Sequence, residues 1–276
     1  MRIDSHAHIL RIGRGDYGWI TPDLAPLCRD FGPRELQAHL NRAGLDRVVL
    51  VQAAPSVAET EFLLGIAFAW DRVAGVVGWI DMDAPDAVAT LERLSGVPSF
   101  KAVRPMIHDI ADVDWLLSDR LRPVLRRVSE LDLAFDLLIR PEHLANVLTV
   151  LDRHPDLRAV ICHGAKPDIA AGAFDGWARD MRRIAERTAA FVKLSGIVWE
   201  ASERWDADEL RPYIDHLFAC FGPDRILWGS DWPVVTLSGG YEAWWETTCT
   251  YLDSLGARER AAVLGGNAVR VYKLAA

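Results

Sequence analysis

Short, nearly continuous apolar runs alternate along the chain with longer stretches in which apolar positions recur at helical spacing. Val48-Val49-Leu50-Val51 is one such run, with no polar alternation, as expected of a strand covered on both faces. Eight are found: Arg2–His8, Arg47–Gln52, Val73–Ile80, Phe100–Arg104, Leu133–Ile139, Arg158–His163, Phe191–Ser195 and Arg225–Ser230. Strands separated in this way by helical stretches are the mark of repeated βαβ units around a parallel sheet.

Cap and turn residues place the helices. Ser56-Val57-Ala58-Glu59 reads as a capping box, with the hydroxyl on the Glu59 amide and the carboxylate reaching back. Asp83 before Ala84-Pro85-Asp86 marks a second start, and Pro123 divides the stretch from Asp112 to Glu130 into two helices. Ile9 to Phe31, with Tyr17, Trp19, Pro22 and Pro26, is too long and irregular for a simple connection and reads as a lid over one face. No Ser/Gly linker or compositional shift divides the chain. Eight units closing into a single (β/α)8 barrel over residues 1–276 is therefore the economical fold. An open doubly wound sheet would ordinarily carry a Gly-rich first βα turn, and none is present.

Composition narrows the partners. The 276 residues are 50% hydrophobic and 25% charged, the balance of an ordinary globular protein. A formal charge of −8 argues against nucleic acid and against an anionic membrane surface, which leaves a small molecule as the expected partner; a homo-oligomer is compatible with the sequence. Cys28, Cys162, Cys220 and Cys249 lie far apart and are read as reduced thiols of a cytoplasmic protein. Neither a secretory leader nor an apolar run of membrane-spanning length is visible.

The chemistry gathers at strand ends. His6 and His8 lie two apart at the end of the first strand, so both imidazoles can face one point; the pair is either a ligand pair or two satisfied histidines. His163 ends the sixth strand and Asp231 follows the eighth. In a barrel the ends of strands one, six and eight open onto the same rim. Three imidazoles and a carboxylate there suit one divalent ion, zinc foremost, with a position left for water.

With these motifs in order, the sequence resembles the amidohydrolase superfamily, in its amidohydrolase family two branch, and is most similar to the sugar-lactone and dicarboxylate-lactone hydrolases. The resemblance rests on Ile3-Asp4-Ser5-His6-Ala7-His8, Gln52-Ala53-Ala54-Pro55-Ser56, Phe100-Lys101-Ala102-Val103-Arg104, Ile161-Cys162-His163-Gly164-Ala165-Lys166-Pro167, Leu227-Trp228-Gly229-Ser230-Asp231-Trp232-Pro233 and Gly266-Asn267-Ala268-Val269-Arg270. Two departures bear on the metal. Binuclear members carry a bridging Lys at the end of the fourth strand and a His at the end of the fifth. Here the fourth ends with Arg104 and the fifth contains no histidine, which argues against a two-metal centre. One ion or none remains.

The resemblance implies hydrolysis of a small lactone, with a sugar-acid lactone such as L-fucono-, L-rhamnono- or galactonolactone as substrate. Asp231 would take a proton from the attacking water and return it to the leaving oxygen. His6, His8 and His163, with Asp231, would hold the ion, or would polarise the carbonyl by hydrogen bonds. Arg104 is expected to bind a substrate carboxylate or hydroxyls, or else to brace the rim. His108 is expected near substrate, and Trp19 and Trp199 either stack on the sugar ring or simply pack. Lys166 decorates the rim or meets an anion, and Asp4 is expected deeper, orienting an imidazole. His39, His143, His154 and His216 fall in helical patterns and are expected at the surface. A metal-dependent decarboxylase of an aromatic or dienoic acid, and a sugar-acid binding protein, are the competing functions.

Overall fold

The computed structural model describes residues 1–275. Its strands are β1 (Ile3–Ala7), β2 (Arg47–Val51), β3 (Val73–Gly78), β4 (Phe100–Val103), β5 (Ala134–Leu137), β6 (Arg158–Ile161), β7 (Phe191–Leu194) and β8 (Ile226–Trp228). They form one parallel sheet in chain order. Each strand is followed by one helix of the series α1 (Pro33–Ala43), α2 (Val57–Ala69), α3 (Ala87–Ser95), α4 (Arg122–Glu130), α5 (Leu144–Arg153), α6 (Asp175–Arg187), α7 (Ala207–Phe221) and α8 (Tyr241–Leu252), before the short α9 (Ala257–Ala261) and α10 (Asn267–Tyr272). This is the expected (β/α)8 barrel.

Closure is made by backbone just beyond the last strand. Ala7 bridges Trp232, the His8 N–H donates to the Trp232 carbonyl at 2.7 Å, and the Asp231 N–H donates to the His6 carbonyl at 2.8 Å. The sheet thus shuts at the point where three of the candidate site residues lie.

The apolar alternation divides the core. Val49 and Val51 point inward to a cluster with Ile3, Val77, Ala134, Val160 and Leu227, which α10 plugs with Ala268, Val271 and Tyr272. Val48 and Leu50 point outward into the larger cluster between strands and helices. β1 breaks the alternation. Three residue steps on β1, from Asp4 to Ala7, face two on β2, from Val48 to Leu50. With Ile3 inside, regular alternation would send His6 outward; this bulge is what turns it into the barrel.

Several local expectations are corrected. Ser56 caps α2 by accepting from the Glu59 N–H, but the Glu59 carboxylate meets the Ala53 N–H and the Tyr17 hydroxyl instead of reaching back. α3 starts at Ala87, not after Asp83, whose carboxylate accepts from Trp115 Nε1. Pro123 lies in the first turn of α4; the irregular part of its segment, two 3-10 turns, precedes it. The stretch from Ile9 to Phe31 is closed at its base by a Leu10–Phe31 bridge and brings Trp19 and Leu24 over the carboxyl end of the barrel. Among the described residues no helix is long and apolar enough to cross a membrane.

Candidate active site

His6, His8, His163 and Asp231 meet where the strands end. Three imidazole Nε2 atoms face one carboxylate oxygen, Asp231 Oδ1, at 3.2 Å from His8, 3.6 Å from His6 and 3.8 Å from His163. All four residues are buried.

Two of the four sit on strained backbone. His163 (φ 53°) and Asp231 (φ 59°) are both in the left-handed region, and with Gly164, Ala165 and Lys166 the turn after β6 is left-handed for four consecutive residues. Each non-glycine residue held there costs roughly 1–3 kcal/mol, a cost seen where a side chain must be aimed. Glycines leave the room. A Cβ on Gly196 would lie 2.3 Å from His163 Nδ1, and one on Gly229 would lie 2.7 Å from the His6 Cβ.

The far side of each ring is also fixed. His8 Nδ1 donates to the Val51 carbonyl at 2.8 Å, and His163 Nδ1 lies 3.0 Å from Ser195 Oγ. His6 Nδ1 lies 3.2 Å from Lys193 Nζ, and that lysine is paired at 2.6 Å with Asp136. Asp4 does not orient an imidazole. It turns out of the barrel, accepting from the Ser230 and His6 N–H groups and the Tyr241 hydroxyl, so it braces the backbone on which His6 rides.

Burial dominates the protonation states. It pushes the His163 imidazole down to about 3, against the opposing pull of Asp231. His6 is held well below the usual imidazole range by burial first and the Lys193 ammonium second. Burial works to raise the Asp231 carboxyl, but the neighbouring His163 and His8 outweigh it and leave the group below its ordinary value. At neutral pH the site therefore offers a carboxylate beside uncharged His6 and His163.

The ligand atoms of His6, His163 and Asp231 lie within 4.8 Å of one another, and the buried His6 Nε2 has no hydrogen-bond partner. Two imidazoles and a carboxylate converging in this way fit a single divalent ion. His8 touches Asp231 but is not part of that compact trio.

Above the quartet is a cavity lined by His8, His163 and Asp231 below and by Trp19, Arg104, His108, Lys166 and Trp199 on its walls. Of the residues expected to act on substrate or hold an ion, His8, His163, Asp231, Arg104, His108, Trp19 and Trp199 line it, and His6 lies beneath. Trp19 is fixed by its Nε1–H on the Ala53 carbonyl at 2.6 Å, whereas Trp199 stays 39% exposed. Arg104 is buried and partly committed, its guanidinium donating to the Gln52 carbonyl and, at 3.2 Å, to Gln52 Oε1; its Nε remains unpartnered. Both His108 ring nitrogens are buried; Nδ1 has no hydrogen bond, Nε2 lies 3.3 Å from Asp109 Oδ2, and burial lowers that imidazole against the raising effect of Asp109. Lys166 is ion-paired with Glu200.

The remaining histidines are not surface residues. His143 and His216 are buried, the latter donating to the Ala178 carbonyl at 2.7 Å, and His39 and His154 are half-buried. The buried Lys193–Asp136 pair escaped the sequence reading, although a lone charge within Phe191-Val192-Lys193-Leu194 and another within Phe135-Asp136-Leu137 was a signal that could have found it.

Known proteins resemble this one over its whole length. The model of the amidohydrolase family matches residues 3–274. An L-fucono-1,5-lactonase of Burkholderia ambifaria is 39% identical over 279 residues, covering 99% of this chain and 96% of the relative. Another, of Burkholderia multivorans, is 33% identical over 288 residues, with the same coverage of 99% and 96%. A crystal structure of an amidohydrolase from Burkholderia multivorans with bound zinc superposes with a TM-score of 0.94 at 32% identity over 100% of both chains. The likeness runs from the first strand to the last helix, and the chain belongs to the amidohydrolase family.

Proposed function

We propose that the protein hydrolyses a sugar-acid lactone, with L-fucono-1,5-lactone the first substrate to test. The observation that carries this reading is the convergence of three imidazoles on the Asp231 carboxylate beneath an aromatic-walled cavity. The two lactonases related over nearly their whole length support the substrate class.

Asp231, held as a carboxylate, takes a proton from the water that attacks the lactone carbonyl and delivers it to the ring oxygen as the ring opens. His6 and His163, uncharged, stabilise the oxygen on which negative charge develops. The free Arg104 Nε–H and the unpartnered His108 Nδ1 meet substrate hydroxyls, without which those buried groups stay unsatisfied. The indole faces of Trp19 and Trp199 hold the CH-rich side of the sugar and keep bulk water out. His6, His163 and Asp231 would hold a single divalent ion such as zinc, which when bound supplies Lewis acidity at the substrate carbonyl.

A pH-indicator screen of a lactone panel, run on purified protein with and without chelator, tests this reading. Acid release from a sugar-acid lactone is expected. Failure across the panel, or carbon dioxide release from an aromatic acid, would overturn it in favour of decarboxylation or simple binding.

A further inference from the structure

A polar column runs along the barrel axis beneath the site. The Tyr272 hydroxyl, from α10, lies 2.9 and 3.0 Å from the two carboxylate oxygens of Asp136; Asp136 Oδ2 lies 2.6 Å from Lys193 Nζ; and Lys193 Nζ lies 3.2 Å from His6 Nδ1. Asp136 and Lys193 are fully buried.

We infer that Lys193 is a positioning residue: it holds His6 in the tautomer with its proton on Nε2, and so keeps the affinity of His6, His163 and Asp231 for a divalent ion low. The inference rests on reading those three residues as the ion's ligands. An ammonium paired with a buried carboxylate only donates, so His6 Nδ1 must accept. A neutral imidazole has one N–H, which therefore sits on Nε2. That atom is buried, unpartnered and turned toward Asp231 Oδ1.

The three rings differ in what lies behind them. A metal-binding histidine ordinarily donates its second ring N–H to a carbonyl or carboxylate, leaving the other nitrogen's lone pair for the ion. His8 obeys this, donating Nδ1–H to the Val51 carbonyl. His163 Nδ1 meets a serine hydroxyl, which can accept. Only His6 has a cation behind it. An ion at Nε2 must displace the proton there and leave Nδ1–H pointing at an ammonium, or force Lys193 to turn away from a carboxylate that makes no other ion pair among the described residues. Without an ion, the same arrangement presents His6 to substrate as a hydrogen-bond donor.

The test is zinc affinity, measured by competition with a chromophoric chelator in the full-length wild type, Lys193→Arg, Lys193→Met and the pair Lys193→Met/Asp136→Asn. The pair removes both charges and guards against loss of folding from an orphaned carboxylate. Changes behind a ligand typically move metal affinity by 10–100-fold. Lys193→Met or the paired variant is expected to bind zinc at least about tenfold more tightly, and Lys193→Arg to stay near wild type. Nitrogen-15 NMR of metal-free wild type is expected to show His6 protonated at Nε2. Unchanged affinity in the folded variants, or a His6 proton on Nδ1 in wild type, would overturn the inference, and the wild-type spectrum decides even if no variant folds. No lactone enters either measurement, so its failure is separate from failure of the lactonase reading.

Discussion

Asp231 meets His6 twice: its backbone N–H donates to the His6 carbonyl at 2.8 Å, and its carboxylate Oδ1 lies 3.6 Å from His6 Nε2. The backbone contact sets how far the carboxylate can stray from the ring.

Because that contact does not involve the side chain, Asp231→Asn should remove the base while keeping the frame. Turnover is expected to fall by roughly 10²–10⁴-fold, the usual contribution of a general base, with the melting temperature little changed. Paired initial-rate and thermal-denaturation measurements check this; retention of most activity would exclude Asp231 from proton transfer.

Gly196 is needed for room and for conformation. An alanine there combines a φ of 61° with a Cβ 2.3 Å from His163 Nδ1, so the ring must move off its position. Gly196→Ala is expected to lower kcat at least about tenfold and to destabilise the fold by about 1–3 kcal/mol. Denaturant unfolding and steady-state kinetics on the same preparation test both effects.

Trp19 is anchored by its indole N–H, so it serves as a preset wall of the cavity. Trp19→Ala should raise KM by about tenfold, roughly 1.4 kcal/mol of lost contact, with a smaller change in kcat. An unchanged KM would return Trp19 to the role of packing.

Glu59 gives the stability of the lid a pH dependence. Burial raises its pKa from 4.5 to about 7, against the lowering effect of the Tyr17 hydroxyl, the Ala53 N–H and Arg14. A carboxyl raised in the folded state binds its proton more tightly there than in the unfolded chain. Its stabilising contribution is therefore complete below about pH 4.5 and lost as pH rises through about 7. Glu59→Gln should abolish this dependence, gaining stability relative to wild type by up to about 3 kcal/mol between those limits. Melting curves for both proteins from pH 4.5 to 8 provide the comparison, and a constant difference would contradict it.

What could be read from the sequence follows from how local each signal is. His163 and Asp231 close apolar runs, so their place on the rim follows from strand length and barrel geometry alone. The inward turn of His6 does not: it depends on the bulge after Asp4, a one-residue slip that alternation cannot reveal and that reversed the expected direction of Asp4. Lys193 and Asp136 are separated by 57 residues, and each alone reads as an interruption of a strand. Only the closed barrel shows that they neutralise one another. The histidines of the helical stretches are less exposed than their pattern suggests because their partners, a backbone carbonyl for His216 and the distant Glu242 for His39, are recorded by no periodicity.

The seam between the first and last strands has a consequence for biosynthesis. Asp231 and Trp232, which sew the sheet shut, stand more than two hundred residues after the histidines they meet. A nascent chain on the ribosome therefore carries His6 and His8 from the outset, while the carboxylate they face is added only after more than two hundred further residues. The quartet is thus completed only by the final stitch, and a chain that stalls before it holds the imidazoles without their carboxylate.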